Sequence, residues 1–369
     1  MGESMTSGSL VHWMMAARAV ALMACTWSIA APVSARAQDI LTSRAPDREQ
    51  RILEGARKEG QVVLYSAAIV NQALRPLADA FNKKYPGIRM SYWRGDSEEI
   101  IAKLAAESRA KNLVVDIIEG TGAGEMAVEA GLTQPYYLPA VADLPEKYRD
   151  PRNHWVSTRI SYFSIAYNTR LVPADQVPKT YDDLADPRWR GKLAWRIGTS
   201  SGTPLFITNI RLARGEEKAG AYFRKLAEQK VINFGSGSAR TLVDRVIAGE
   251  FPIALNIFAH HPLISKAKGA PVDSKLLDPV ASTAATMVIP KGVRRPHAAL
   301  LLADFIVSKE GQQIFANAEY FPARQDVPPK EGLASVIPSR AGVAEQFVSS
   351  DMLTKFGEGS QKIYEDLFR

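Results

Sequence analysis

Residues suited to binding a charged ligand recur at four predicted junctions between a strand and the following helix. Such junctions lie at the carboxyl ends of strands in an open α/β sheet, where ligands bind, and each exposes unpaired N–H groups of a helix N-terminus. Ser, Thr and Gly also cap helices and form turns, so any one junction has a purely structural explanation. Their recurrence nevertheless predicts a site for an anion. The junctions are Ser66-Ala67-Ala68, Gly120-Thr121-Gly122, Thr199-Ser200-Ser201-Gly202-Thr203 and Gly235-Ser236-Gly237-Ser238.

Two arginines and a histidine pair extend this candidate site. Arg94 and Gly95 follow a predicted strand directly, and Arg240 lies in the first turn of the helix after the fourth junction. A guanidinium beside helix N-termini can bind a carboxylate or phosphate through two hydrogen bonds. A solvated surface position is the alternative for either arginine. His260-His261 follows another strand, and because adjacent residues of an extended chain point to opposite sides, only one of them, taken as His260, is expected to face the ligand.

Two motifs point instead to enzymatic chemistry. The segment Gly198-Thr199-Ser200-Ser201-Gly202 matches G-x-S-x-G between a strand and a helix, which is the context of a nucleophile elbow. Asp278 and His297 follow in hydrolase order, but no HGGG-type oxyanion segment precedes them, so an exported serine hydrolase using Ser200 is the enzymatic alternative. The segment 120–125 resembles a dinucleotide fingerprint with its third glycine one place early. No cofactor is therefore predicted.

The first 37 residues have the features of a secretory signal. A weakly basic start leads into an apolar run over residues 19–33, which is too short to span a bilayer, and Ala35-Arg36-Ala37 supplies a small-x-small cleavage pattern. Cleavage there removes Cys25, the only cysteine, and leaves no disulfide or thiolate metal site. We therefore expect a periplasmic protein. A lipoprotein anchored at Cys25 is the second possibility, since Leu22-Met23-Ala24 precedes it.

The net charge of +7 at pH 7 raises the question of nucleic-acid binding. Basic residues are interleaved with acidic ones along helical faces, as in Glu216-Glu217-Lys218, whereas a nucleic-acid footprint needs a contiguous basic stripe. No nucleic-acid partner is therefore predicted, and the positive surface favours anionic ligands. No HExxH or CxxC motif indicates a metal site.

Short β-branched runs alternate with amphipathic helices along the mature chain, which predicts an α/β fold with mainly parallel sheets. One alternating set occupies residues 61–130, with strands expected over 61–65 and 113–118. A second set occupies residues 192–257, with a helix expected over 239–248. Segments near residues 160 and 285 would cross between the two sets and form a hinge. This predicts two lobes flanked by helices, the first comprising residues 38–160 and 283–369 and the second comprising residues 161–282.

Five segments resemble a known family. They are Val63-Leu64-Tyr65-Ser66, Ala166-Tyr167-Asn168-Thr169, Leu184-Ala185-Asp186-Pro187-Arg188-Trp189-Arg190-Gly191-Lys192, Gly249-Glu250 before a strand that ends in Asn256, and Phe305-Ile306-Val307-Ser308-Lys309-Glu310-Gly311-Gln312. With them the chain resembles the iron-type extracellular solute-binding proteins of bacterial ABC importers, within the type II periplasmic-binding-protein fold. The resemblance implies a hinged protein that captures a small ligand between its lobes and docks on an inner-membrane ABC permease.

The chain departs from the ferric branch of that family at the expected metal ligands. Ferric members carry two tyrosines after the Asn that ends this strand, and here the matching residues are Phe258 and Ala259. Other branches bind phosphorylated or phosphonate solutes through hydroxyls, N–H groups, Arg and His. The resemblance therefore implies a phosphate-, phosphonate- or carboxylate-bearing anion, with ferric iron as the alternative.

The sequence thus predicts a monomeric binding protein that is not an enzyme and that has no cofactor, no catalytic residue and no metal ligand. Its ligand is expected to be a small anion, bound between the lobes. The predicted ligand-binding residues are Ser66, Ala67, Arg94, Gly95, Thr121, Gly122, Ser200, Ser201, Thr203, Ser238, Arg240, Asn256 and His260.

Overall fold

The structure is a computed structural model that describes residues 40–197, 202–235 and 238–369. The predicted signal and Ser200 and Ser201 therefore lie outside the described residues. Within those ranges, no helix combines the length and the apolar character that crossing a membrane requires.

Helices and strands alternate over most of the described chain. The helices are α1 (Arg48–Glu59), α2 (Arg75–Lys84, after a π-helical turn at Val70–Leu74), α3 (Ser97–Arg109), α4 (Ala123–Glu129), α5 (Thr203–Arg214), α6 (Glu216–Ala227), α7 (Ala239–Ala248), α8 (His260–Lys266), α9 (Pro296–Val307), α10 (Lys309–Asn317), α11 (Pro338–Ala341) and α12 (Ser350–Phe368). The strands are β1 (Gln61–Ser66), β2 (Arg89–Arg94), β3 (Ile117–Thr121), β4 (Val156–Asn168), β5 (Leu193–Trp195), β6 (Ile232–Asn233), β7 (Ile253–Phe258), β8 (Val272–Lys275), β9 (Val280–Val288), β10 (Phe321–Pro322) and β11 (Glu345–Phe347).

The strands join in the order β2-β1-β3-β9-β4-β7-β5-β6, and the shorter strands β8, β10 and β11 pair with β4 or β9. The outer strands pair in parallel on both sides, β1 with β2 and β3, and β5 with β6 and β7. The central pairs that involve β4 are antiparallel. Parallel pairs need crossover connections, which the helices supply. The predicted α/β fold is thus confirmed.

Strand β4 links the two halves of this arrangement. It pairs with β9 as far as Tyr162, and from Phe163 onward it pairs with β7 and β8. An irregular register lies in each half, between Ser157 and Arg159 and between Ser164 and Ala166. The residues of β4 around Tyr162 and Phe163 therefore lie close to both halves of the molecule.

Two hydrophobic cores flank this central strand. The first includes Phe81 and Phe305, whose ring centres are 5.6 Å apart, and the second is built around Trp195, which is fully buried. The final helix, α12, packs on the second core, where the Phe368 ring lies 4.7 Å from that of Trp195. The division of the chain into lobes at residues 160 and 283 stays a prediction, and α12 lies against the lobe opposite to the one we expected for it.

Helices α1 and α9 are held together at the start of α9. The carboxylate of Glu59 accepts hydrogen bonds from the backbone N–H of His297 (3.3 Å) and of Ala298 (2.7 Å), and it lies 2.7 Å from Nδ1 of His297. Gly55 permits this approach, because a Cβ there would lie 2.2 Å from the His297 ring. His297 therefore has a scaffold contact in place of the triad role that the hydrolase alternative required.

Candidate functional site

The first junction is occupied by hydrogen bonds within the protein. The hydroxyl of Ser66 donates to Oε2 of Glu119 at 2.5 Å and accepts from the N–H of Ala68 at 3.0 Å. The N–H of Ala67 donates to the carbonyl oxygen of Glu119 at 3.0 Å. These contacts extend the pairing of β1 with β3, so the polar groups of Ser66 and Ala67 serve the sheet in this structure.

The second junction is a turn in which glycine has a backbone role. Gly122 has a φ of 69°, in the left-handed region that glycine adopts without strain, and its N–H donates to the carbonyl of Ala284 at 3.3 Å. Thr121 is buried and pairs with Ala285 across β3 and β9. Its position at the end of β3 brings it beside β9 rather than into solvent.

The described residues of the other two junctions form hydrogen bonds within the protein at or near the start of a helix. Thr203 is buried, and both its hydroxyl (2.9 Å) and its N–H (3.1 Å) donate to the carbonyl of Arg196. Ser238 caps α7 by accepting from the N–H of Thr241 at 3.1 Å. Asn256 has a φ of 53° and donates from Nδ2 to the carbonyl of Gly202 at 2.9 Å, which connects β7 to the start of α5.

The predicted arginines differ in their surroundings. Arg94 forms a 2.8 Å ion pair with Asp96, and both side chains are about half exposed, which is the setting of a weak surface pair. Gly95 is buried, and its N–H donates to the carbonyl of Ser66 at 3.2 Å. Arg240 pairs with Asp244 at 2.7 Å, and its Nη1 also lies 3.4 Å from the carbonyl of His261.

His260 and His261 lie side by side, with ring centres 4.6 Å apart. We expected them to point in opposite directions along an extended chain, but they begin α8, where consecutive side chains are separated by about 100° around the axis. His260 is buried, and Nδ1 of each ring is buried without a hydrogen-bond partner among the described residues. Two neighbouring rings that each bury an unsatisfied nitrogen are a feature that the fold alone does not explain.

Both histidines are held in the neutral form. Burial lowers the pKa of His260 well below its usual value, and His261 and Arg159 lower it further. Burial lowers the pKa of His261 to about 3, with added effects from Arg240 and Arg196. Three arginines thus surround a pair of uncharged imidazoles.

Arg159 belongs to this cluster but, like Arg196, was not predicted from the sequence. Its side chain is only 5% exposed; Nε donates to Oε1 of Glu119 at 3.1 Å, and the guanidinium lies 4.5 Å from the centre of the Tyr320 ring. Its Nη1 and Nη2 groups donate to no residue in the described part of the chain. Burial alone would lower the pKa of Arg159, but Glu119 and Tyr320 outweigh it and raise the pKa, so the charge is retained.

Glu119 and Tyr320 position this guanidinium. The Glu119 carboxylate is 1% exposed and also accepts from Oγ1 of Thr158 at 2.8 Å, in addition to Ser66. The Tyr320 hydroxyl accepts from the N–H of Ile69 at 3.1 Å. A buried charge needs a partner, and Arg159 is the only charged residue of the run 155–167. That signal is weak, because a structural ion pair would give the same pattern.

Arg196 lies where the two halves of the molecule face each other. It directly follows β5, and burial lowers its pKa, while Glu98 and Asp96 at the start of α3 oppose that shift. Because α3 belongs to the β1–β3 half and β5 to the other, this electrostatic coupling acts across the space between them. Arg196 also lowers the pKa of His261, so it belongs to the same cluster as the histidines.

Comparisons with known proteins agree with this architecture. A family model described as a bacterial extracellular solute-binding protein matches residues 112–341. An uncharacterized protein of Haemophilus influenzae is 28% identical over 70% of this chain and 76% of its own length. The Fe(3+)-binding periplasmic protein of Serratia marcescens is 25% identical over 58% of this chain, and the match spans 62% of that relative.

Solved structures share the fold. A ferric binding protein from Campylobacter jejuni superimposes with a TM-score of 0.70 at 21% identity, covering 84% of this chain and 100% of its own. The periplasmic binding protein AfuA from Actinobacillus pleuropneumoniae, with exogenous fructose-6-phosphate bound, gives 0.67 at 24% identity, covering 84% of this chain and 99% of its own. One architecture thus holds ferric iron in some proteins and a sugar phosphate in another.

Proposed function

Since the chain belongs to the family of bacterial extracellular solute-binding proteins, we propose that it captures a small anion bearing a phosphate, phosphonate or carboxylate group at Arg159. The family supplies the solute-binding components of ABC importers, works with ABC permeases and does not consist of enzymes. The resemblance drawn from the sequence, and the prediction that the protein is not an enzyme, are thereby confirmed. The export signal and the monomeric state stay predictions.

The observation that supports this ligand class is the arrangement of donors on Arg159. Glu119 engages Nε and the Tyr320 ring centre lies 4.5 Å from the guanidinium, while the two Nη groups donate to no described residue and so remain as a fork. Such a fork matches the two oxygens of a carboxylate or phosphate. Because Glu119 and Tyr320 already fix the side chain, little conformational entropy is lost when an anion binds.

The surrounding charges favour the same ligand class. His260 and His261 are neutral, so they can donate hydrogen bonds without requiring a counter-ion, and Arg196 and Arg240 add positive potential near His261. In contrast, Glu119 is engaged by Arg159, Thr158 and Ser66 and does not present a bare carboxylate to the ligand. The local potential therefore favours an anion.

Ligand binding at this position would also couple to closure of the molecule. Arg159 lies in the half of β4 that pairs with β9, whereas His260 and Arg240 follow β7 and β6 in the other half. An anion bound by Arg159 on one side and by His260 or Arg240 on the other would link the two halves. Hinge closure around a ligand is a common motion of two-lobed binding proteins.

The test is a thermal-shift screen of the protein with inorganic phosphate, methylphosphonate, citrate and ferric chloride. A ligand that binds only the folded state raises Tm by mass action, and we expect at least one anion to do so in the absence of iron. The stabilisation should be lost in the double variant Glu119→Gln/Arg159→Gln, which removes both buried charges together and so avoids an unpaired Glu119. Arg94→Gln is the matched control and should bind as the unaltered protein does. Stabilisation by ferric ion alone would contradict the proposal.

Ferric iron is the second candidate ligand, because the Serratia marcescens relative is named an Fe(3+)-binding periplasmic protein. Two observations disfavour it. Phe258 and Ala259 provide no oxygen atom in their side chains, and within the described ranges no group of three His, Cys, Asp or Glu side chains is arranged to hold a metal ion. A visible charge-transfer band on addition of ferric citrate, saturating at one iron per protein, would establish this alternative.

A further inference from the structure

We propose that a second anion site, separate from Arg159, lies at the start of β4. A cavity of about 240 Å³ opens there between the segment 136–142, the loop 149–155 and Arg44. Its volume is close to the lower end of the range of small-molecule pockets, which suits a ligand with a single ring or a short chain. The chemistry of the lining residues indicates an anion with an apolar body.

The positive charge of this cavity comes from Arg44 and Arg149. Arg44 forms no ion pair within the described ranges; its guanidinium instead lies 4.5 Å from the centre of the Tyr137 ring. Arg149 has one acidic neighbour, Glu146, at 3.9 Å, and that carboxylate is 94% exposed. A pair at this distance and exposure neutralises little of the charge. Two guanidiniums therefore line one cavity with their charge largely uncompensated.

The acidic residue in the lining is already engaged. Oδ2 of Asp150 accepts from the N–H of His154 at 2.9 Å, and Oδ1 lies 3.5 Å from Nε of Arg152. By contrast, Trp155 also lines the cavity, and its indole N–H forms no hydrogen bond to any described residue. The two guanidiniums therefore dominate the charge of the lining, which favours an anion over a cation or a neutral sugar.

The cavity is formed by ordered contacts rather than by loosely held side chains. Tyr137 is fixed on both sides of its peptide, since its N–H donates to the carbonyl of Leu41 at 2.8 Å and its carbonyl accepts from Nη2 of Arg48 at 2.6 Å. The loop is closed by a hydrogen bond from the N–H of Asp150 to the carbonyl of Trp155 at 3.1 Å. Leu138, Pro139 and Val141 supply an apolar wall for the body of the ligand.

The test uses phenyl phosphate as the probe, because it joins a phosphate to a flat apolar ring. The indole N–H signals of ¹⁵N-labelled protein are recorded, and the Trp155 signal is assigned with Trp155→Phe. We expect that signal to shift saturably on titration, and we expect Arg44→Ala and Arg149→Ala each to weaken the apparent affinity roughly fivefold or more. Arg170→Ala, which removes an exposed arginine outside the cavity lining, is the matched control and should leave the affinity within about twofold.

Two further controls separate binding in this cavity from binding at Arg159 and from uptake of an uncharged ring. The double variant Glu119→Gln/Arg159→Gln should retain the Trp155 titration, so that loss of the Arg159 site and loss of this site are distinguishable. Benzyl alcohol, which has a similar ring and no charge, should not shift the signal at the same concentrations. An absent shift, an equal shift with benzyl alcohol, or a shift that neither Arg44→Ala nor Arg149→Ala weakens would overturn the proposal.

Discussion

The molecule contains two regions of buried charge that are built in different ways. In the scaffold, Arg295 donates from Nε to both carboxylate oxygens of Asp116, which also accepts from the N–H of Val63 at 2.8 Å. In the cluster around Arg159, one nitrogen of the guanidinium is paired with a described residue and two are not, and Nδ1 of both neighbouring histidines has no partner in the same part of the chain. Fully paired groups stabilise the fold, whereas preorganised but unpaired groups are available to a ligand.

The largest effect on stability is expected from Asp116→Ala. The change leaves Arg295 without its carboxylate and removes the bond to Val63, and breaking a buried ion pair from one side costs roughly 3–5 kcal/mol. Chemical denaturation should show this loss, while anion affinity measured on the folded fraction should be unchanged. A matching loss of affinity would contradict the separation of the two regions.

The histidine pair predicts a fall in stability on acidification. In the folded protein the pKa of His261 is lowered to about 3, from about 6.5 in the unfolded chain. Between these two pH values the unfolded chain therefore binds a proton that the folded chain does not. Stability is therefore lost as the pH falls, by about 1.5 kcal/mol for this residue between pH 6.5 and 5.

The same pH range contains groups of opposite sign. Burial raises the pKa of Asp116 and of Asp304 to about 6 despite their arginine partners, so these groups favour the folded state as the pH falls through that value. The informative quantity is hence the difference between the unaltered protein and His261→Gln. If the free energy of unfolding of the two proteins changes by the same amount between pH 6.5 and 5, His261 is not held neutral in the folded protein.

A smaller loss of stability than that of Asp116→Ala is expected from a change where α1 meets α9. In Gly55→Ala the added Cβ would lie 2.2 Å from the His297 ring, so the helices must separate, at a cost of roughly 1–3 kcal/mol. Gly220→Ala in α6 is the matched control, because the nearest described atom would lie 3.6 Å from the added Cβ. Alanine stabilises a helix by up to about 1 kcal/mol relative to glycine. Thermal denaturation of the two variants should shift in opposite directions.

The smallest effect is expected from Ser238→Ala at the start of α7. Loss of the cap to Thr241 should cost about 1 kcal/mol of stability. If Ser238 only caps the helix, calorimetric titration with the anion identified by screening will give an affinity within about twofold of the unaltered protein. A tenfold loss of affinity would instead assign the hydroxyl to the ligand site.

Much of the fold was predictable from local patterns. The run 239–248 and the segment 61–65 were predicted closely because their apolar periodicity reflects which face of the element is buried. The strand expected over 113–118 begins only at Ile117, and α8 was missed because His260-His261 was taken for extended chain. A short apolar run does not specify where sheet pairing starts, since that depends on the partner strand.

The site was less predictable than the fold. The hydroxyls of Ser66, Thr203 and Ser238 were identified as polar groups at strand ends, and in the structure each bonds to a neighbouring chain segment or helix end. Arg159 was overlooked because nothing within its own strand distinguishes it from a structural residue. Its partner Glu119 is 40 residues away, and Tyr320 follows α10 near the other end of the chain.

The sequence by itself determined the alternation of strands and helices, the family resemblance and the absence of tyrosines at 258 and 259, because these depend on residues close together along the chain. Only the tertiary structure decided which charged groups are satisfied. A hydrogen bond removes a donor from use when its partner is within about 3 Å, and which partners come that close is set by the packing of β3, β4 and the chain after α10.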